Sequence, residues 1–424
     1  MLAMFERSVL PSGPRVISVR VPGARSFSAV VYVRAGSRLE RREESGTAHF
    51  LEHLVFKGTN SFPDTRLVSE AIEGVGGTSN AATDREATTY WARVPGRETE
   101  RAMHVLGDLV TRPLLRDADI ENERTIIIEE IRSYRDDPGE FVFTLLDQAV
   151  FGDTPLGWEI AGSEESVRGL VPDGIRDFWR RHYRPSNLVI AAAGDIAHQD
   201  VLALASSWFG SGDGVAAAMD GAPVLPAPNN VLVDRRRGAQ AHLCVGLPAL
   251  RRDDPETWVL EVLHTVLGDG TSSRLFLHLR EEAGLAYDVH SFVTDFHDCG
   301  LMGVYAGVDP AALGRTLEAV LFELADLRDR MVPAAELARA RAFASGRLEL
   351  RLEDGRNLAS WLGVQEALHE RTITIEEALS KIEAVDAEAV QRLAGRLFRD
   401  EALALAVISP PGHPRRFGDR LRLP

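Results

Sequence analysis

Two successions of strand and helix signals run in the same order along this 424-residue chain, offset by about 200 residues. Each opens on strands, passes through helices, and closes on a buried strand, at 188–193 in the first half and 402–408 in the second. A repeat that long lies well beyond solenoid periods and predicts two copies of one mixed domain. In the first half, 15–21 and 26–34 cluster β-formers around Pro22-Gly23 and read as adjacent strands. Helical periodicity follows at 65–75, strand signals at 78–94, then helices at 98–109, 117–134, 172–183 and 198–209. The second half offers strands at 240–247, 286–293 and 301–307, and helices at 256–267, 273–282, 312–329, 334–350 and 357–369. Between the halves, 213–228 is rich in Gly, Ala and Pro and has no period. It reads as a linker, dividing the chain into 1–212 and 229–424.

Within the first half, Ser45 to Thr59 carries His49, Glu52 and His53 as an H-x-x-E-H pattern. On a helix the two histidines lie one turn apart on one face, where both imidazoles can reach a single metal ion. Glu52 flanks that face and can touch a water there. The order mirrors the H-E-x-x-H zinc-protease helix and is the inverzincin pattern. The same five residues would also suit a surface helix with a His–Glu contact. A catalytic zinc takes three protein ligands, and candidates for the third lie in 121–131. Glu123 and Glu130 are two turns apart and share a face, whereas Glu129 is rotated by about 100° from Glu130. Carboxylates beside the run Ile126-Ile127-Ile128 suit either a metal or an amphipathic helix with solvated acids.

Composition narrows the partners. A net charge of −15 argues against nucleic acid and leans weakly toward basic peptides. Cys244 and Cys299 are the only cysteines, neither in a C-x-x-C, so a reducing compartment fits, and the cytoplasmic setting expected rests on the start of the sequence. The start lacks a basic segment followed by an apolar run, and no stretch approaches the roughly 18 apolar residues of a membrane span. Neither a signal peptide nor a membrane partner is expected. Lys57 and Lys381 are the only lysines, a bias that points to a GC-rich genome rather than a mechanism.

His49 and His53, followed by Glu130 in an E-R-x-x-I-x-x-E context, resemble the M16 (pitrilysin) metallopeptidases, and most closely the M16B branch. That branch includes the mitochondrial processing peptidase β subunit. Gly76 to Thr83 resembles the family's G-x-x-x-N-A-x-T segment, and His182 to Leu188 its Y-x-P-x-N stretch. The resemblance covers the whole chain. It implies an α+β fold of two homologous domains, each a mixed or mainly antiparallel sheet packed with helices. It also implies one Zn2+ per chain held by His49, His53 and Glu130, with Glu52 as general base and Glu123 supporting the ligands. Asn80 and Ala81 would lie on an edge strand that adds an extended peptide. Arg280 and Tyr287 match the family's R…Y pair in the second, metal-free copy, where Tyr287 would donate to the substrate carbonyl or oxyanion and Arg280 would position the substrate. Gly268 to Ser273 has no G-K-[ST] and is no phosphate loop. The implied function is a zinc endopeptidase acting on short or unfolded peptides in an enclosed chamber. Because one chain carries both residue sets, a homodimer is expected. The rival readings are a non-catalytic core or assembly subunit of the same fold, and a peptidase subunit that needs a partner chain.

Overall fold

The computed structural model describes residues 5–210, 230–369, 371–411 and 417–424, and the expected linker 213–228 lies outside them. Among the described residues, eleven strands form two sheets. The first contains β1 (Glu6–Val9), β2 (Arg15–Arg20), β3 (Ser26–Val33), β4 (Thr78–Thr83), β5 (Thr88–Pro95) and β6 (Leu188–Gly194), in the order β1-β2-β6-β3-β5-β4. The second contains β7 (Val231–Arg235), β8 (Ala241–Ala249), β9 (Ala286–Asp295), β10 (Gly300–Val308) and β11 (Ala404–Ser409), in the order β7-β11-β8-β10-β9. Each sheet has one parallel pair, β2 with β6 and β7 with β11, and is otherwise antiparallel. Apart from β1, the two strand orders superimpose position for position, with β6 equivalent to β11 and edge strand β4 equivalent to β9. The fold is α+β with two homologous domains, as the family resemblance implies.

Burial explains the strand compositions. Every residue of β6 and β11 is buried, which suits runs such as Leu188-Val189-Ile190 that must be apolar on both faces. Edge strand β4 has no buried residue, and its exposure alternates along Thr-Ser-Asn-Ala-Ala-Thr. The sequence span 78–94 is thus a hairpin, β4 and β5 pairing with Ala81 opposite Tyr90. On the first sheet's helical side, Phe27 and Val31 of β3 pack with Phe50, Leu51, Ile127 and Ile131, all at most 1 % exposed.

Two helices do not follow the sequence halves. The chain separates into compact units, one containing 1–132, 159–222 and 349–374, the other 133–158, 223–348 and 375–424. The helix Gly355–Leu368 therefore covers β2, β3 and β6 of the first sheet, and Pro138–Phe151 covers β7, β8 and β11 of the second. The strands covered are equivalent in the two sheets, so the exchange is reciprocal. Close approach needs glycine at both contacts. A Cβ on Gly363 would stand 2.8 Å from the Ala191 Cβ and clash with the Tyr32 ring, and one on Gly246 would stand 2.8 Å from Leu146 Cδ1. Glu366, whose side chain is 1 % exposed, fastens the first helix through Arg7 at 2.8 Å and Arg15 at 3.2 Å. The sequence periodicity misses the helix Pro138–Phe151, strands β1 and β7, and the helices Ile375–Glu383 and Ala387–Leu397. The helix expected over 273–282 also differs, because Phe276–Glu282 is wound as a π-helix. No described helix is long and apolar enough to cross a membrane.

Candidate metal centre

The H-x-x-E-H segment forms the helix Thr47–Val55, entered through Gly46 at φ +96°. Glycine is required there, since a Cβ would come within 2.6 Å of the Ala161 carbonyl oxygen. The first turn lacks a capping side chain of its own. Glu40 supplies one, accepting the Gly46 N–H at 2.8 Å and the Ala48 N–H at 2.6 Å. Burial pushes the Glu40 carboxyl up to about 8, against the downward pull of those two N–H groups. Phe50, Leu51 and Leu54 are buried and fix the rotation of the helix, which turns His49 and His53 to the opposite, partly open side.

A second helix, Asp117–Asp136, is anchored by Ile120, Ile127 and Ile131, and presents Glu123 and Glu130 to the same side. Glu130 Oε1 lies 3.6 Å from His49 Nε2, and its Oε2 lies 3.5 Å from His53 Nε2. One ligand atom from each of His49, His53 and Glu130 lies within 4.8 Å of the other two, and no second such group occurs among the described residues. Glu129 is turned away, 65 % exposed and paired with Arg132 at 2.6 Å. Of the three acids that the sequence leaves open, Glu130 is the one that joins both histidines.

Surrounding contacts prepare these groups. His53 Nδ1–H donates to Glu123 Oε1 at 2.9 Å, which leaves Nε2 as the free lone pair facing Glu130. Burial alone would lower the His53 pKa, but the Glu123 hydrogen bond and the charges of Glu130, Glu123 and Glu52 raise it. For His49, burial and then His53 push it down to about 4, so the ring is neutral at physiological pH. Two imidazoles, each turning a ring nitrogen to one point, and a carboxylate match the nitrogen and oxygen donor chemistry of a catalytic zinc site. Glu52 accepts the Thr83 Oγ1–H at 2.6 Å on Oε2, and burial raises its pKa.

The remaining predicted residues fall in two places. Asn80 and Ala81 lie on edge strand β4, where Asn80 Oδ1 accepts the Ala81 N–H at 2.8 Å. Arg280 and Tyr287 lie in the second unit, with the Arg280 guanidinium 5.5 Å from the Tyr287 ring centre and 4.9 Å from that of Phe276. Tyr287 is 76 % exposed. The equivalent helix of this unit, Thr257–Gly268, has no ligand set, and its His264 is hydrogen-bonded to Ser291 at 2.7 Å.

With this geometry in place, two family models match most of the chain. Residues 15–164 match the model described as insulinase (peptidase family M16), and residues 170–343 match the peptidase M16 inactive domain. An uncharacterized zinc protease of Streptomyces coelicolor is 36 % identical over 416 residues, covering 96 % of this chain and 90 % of that protein. The chain belongs to the M16 peptidase family. The mitochondrial-processing peptidase subunit beta of Mus musculus is 32 % identical over 414 residues, covering 95 % of this M16 chain and 83 % of the mouse protein. A protease of Helicobacter pylori shares the fold with a TM-score of 0.89 at 21 % identity, over 97 % of this chain and 100 % of that one.

Three residues at the site escape the sequence pattern. Thr83 orients Glu52, Lys57 touches Glu123, and Glu40 caps the motif helix. Lys57 is four residues after His53, the one-turn spacing that was available as a signal. Thr83 closes the segment that resembles the G-x-x-x-N-A-x-T stretch, but neither it nor Glu40 has a spacing that points at the site, since strand and loop contacts bring them in.

Proposed function

We propose that this M16 chain is a zinc metalloendopeptidase acting on short or unfolded peptides. The observation that carries the reading is the convergence of His49, His53 and Glu130 on one point, with Glu52 beside them and the His53 tautomer set by Glu123. A zinc ion held by the three ligands would polarise a scissile carbonyl and acidify a water molecule. Glu52 is the general base: Thr83 holds Oε2, leaving Oε1 to take the water proton and pass it to the leaving amine. Relative to an ordinary carboxyl, burial of Glu52 favours its accepting that proton. The free edge of β4 would receive an extended peptide by main-chain pairing, once Asn80 Oδ1 releases the Ala81 N–H. Arg280 and Tyr287 would bind the substrate, with the exposed Tyr287 hydroxyl as donor to the oxyanion. The chain would act as a homodimer within an enclosed chamber, and its acidic charge favours basic peptides.

Metal analysis of the purified protein and of Glu130→Gln, paired with cleavage of a quenched fluorescent peptide, tests this. The expected result is about one zinc per chain and chelator-sensitive cleavage, both lost in Glu130→Gln. A metal-free, inactive wild type that still assembles would overturn the reading in favour of a non-catalytic subunit.

A further inference from the structure

Glu123 is only 3 % exposed, so each of its oxygens needs a partner inside the protein. Oε1 takes the His53 Nδ1–H. Oε2 is buried, has no hydrogen-bond partner otherwise, and lies 2.5 Å from the Lys57 ammonium. Lys57 stands one turn after His53, just past the end of the motif helix. Its backbone is fixed, with the N–H donating to the Leu54 carbonyl at 3.0 Å and the carbonyl accepting from Arg116 at 3.0 Å. The choice of lysine is not compositional habit. Of 48 basic residues only Lys57 and Lys381 are not arginine, so a compact point charge stands where the chain elsewhere uses a planar fork.

We propose that Lys57 is a positioning residue of the metal centre, acting on the ligands through Glu123. Its ammonium fixes the Glu123 carboxylate by Oε2, so that Oε1 meets the His53 Nδ1–H and the Nε2 lone pair is held toward the ion. Without it, the carboxylate is free to rotate about its stem, and the His53 ring loses the partner that sets its tautomer and direction. The inference rests on the metallopeptidase reading above, and the wild-type control separates the two.

The test uses the full-length protein. Zinc affinity is measured by chelator competition, and the cobalt-substituted protein is examined by visible absorption, for wild type, Lys57→Met and Lys57→Arg. Circular dichroism of the apo proteins establishes folding. Lys57→Met is expected to bind zinc about 10- to 100-fold more weakly and to show an altered cobalt spectrum. Lys57→Arg, which keeps the charge but not the point geometry, is expected to fall between the two. If Lys57→Met does not fold, Lys57→Gln takes its place with the same expectation. A folded Lys57→Met or Lys57→Gln with wild-type affinity and spectrum would overturn the inference. So would a Lys57→Arg weaker than Lys57→Met, since bulk and not charge would then set the effect. A wild type that binds neither metal would instead sink the metallopeptidase reading itself.

Discussion

Glu52 and Glu130 are carboxylates on the same small surface, yet their amide variants should fail in different ways. Glu130 faces two imidazole nitrogens, whereas Glu52 is held by Thr83 and is not one of the three converging ligands. Glu52→Gln should therefore lose proton transfer and keep the metal, with peptide cleavage down by about 10²- to 10⁴-fold or more at unchanged zinc content. Single-turnover cleavage and metal analysis of one preparation would check it, and substantial turnover by this variant would remove Glu52 from the role. The legibility of the site divides along similar lines. His49, Glu52 and His53 are readable because helical spacing alone places them on one face. Glu130 needed the family resemblance, because Glu123 satisfies the same periodicity and only the tertiary contact tells ligand from support. Glu40 and Thr83 were not readable as site residues, since no local pattern says that a loop acid will cap the motif helix or a strand hydroxyl will orient its base. Lys57 has the one-turn spacing from His53 but needs the tertiary contact with Glu123 to show what it does.

At the scale of elements, the π-helix Phe276–Glu282 sets how Arg280 is presented, and one ion pair ties it down. His278 Nδ1 lies 2.6 Å from Oε1 of Glu323 on the helix Leu313–Asp329, with Glu323 itself 3 % exposed. The hydrogen bond to Glu323 raises the His278 pKa above its ordinary 6.5, with burial and Arg274 opposing and Glu282 assisting. A histidine raised in the folded state stabilises it fully below its unfolded value, and that stabilisation is lost as pH rises through the folded value. The melting temperature of wild type should thus exceed that of His278→Gln most at about pH 6, near the ordinary value, and the gap should close on the alkaline side. A gap constant with pH would mean that packing, not charge, is what His278 supplies. The winding itself was invisible in the sequence, because a single i→i+5 turn does not disturb an apolar period over ten residues. The helix Pro138–Phe151 was missed for a different reason: besides the face of Val142, Leu146, Ala149 and Val150, it carries Phe141, Phe143, Leu145 and Phe151 on its other sides, so no stripe stands out.

Over the whole molecule, the repeat was legible and the exchange was not. Order of strands and helices is a property of each half, but which sheet a helix covers depends on where the chain travels next. The exchange nevertheless decides how the halves depend on each other. Along β3, Phe27, Ala29, Val31 and Val33 join the core on one side, so Val30 and Tyr32 point to the other, where Tyr32 donates to the Ser360 carbonyl at 2.9 Å. By the same alternation Ile17, Val19, Val189 and Ala191 share that face, all at most 3 % exposed beneath the helix Gly355–Leu368. Residues 1–212 alone lack that helix. Leaving five large side chains, Ile17, Val19, Val30, Tyr32 and Val189, in water would cost on the order of 10 kcal/mol, as much as a domain's whole stability of about 5–15 kcal/mol. The loss also strands Arg15, whose carboxylate partner is Glu366. Expressed alone, 1–212 should therefore be insoluble or molten, and co-expression with 213–424 should recover a soluble complex that co-elutes on gel filtration and unfolds cooperatively. If 1–212 by itself is monomeric and melts in one sharp transition, the exchanged helix is a cover and not a requirement. The recovered complex should bind zinc like the intact chain, because His49, His53, Glu130 and Lys57 all lie within 1–212 and need the second fragment only to keep their sheet folded.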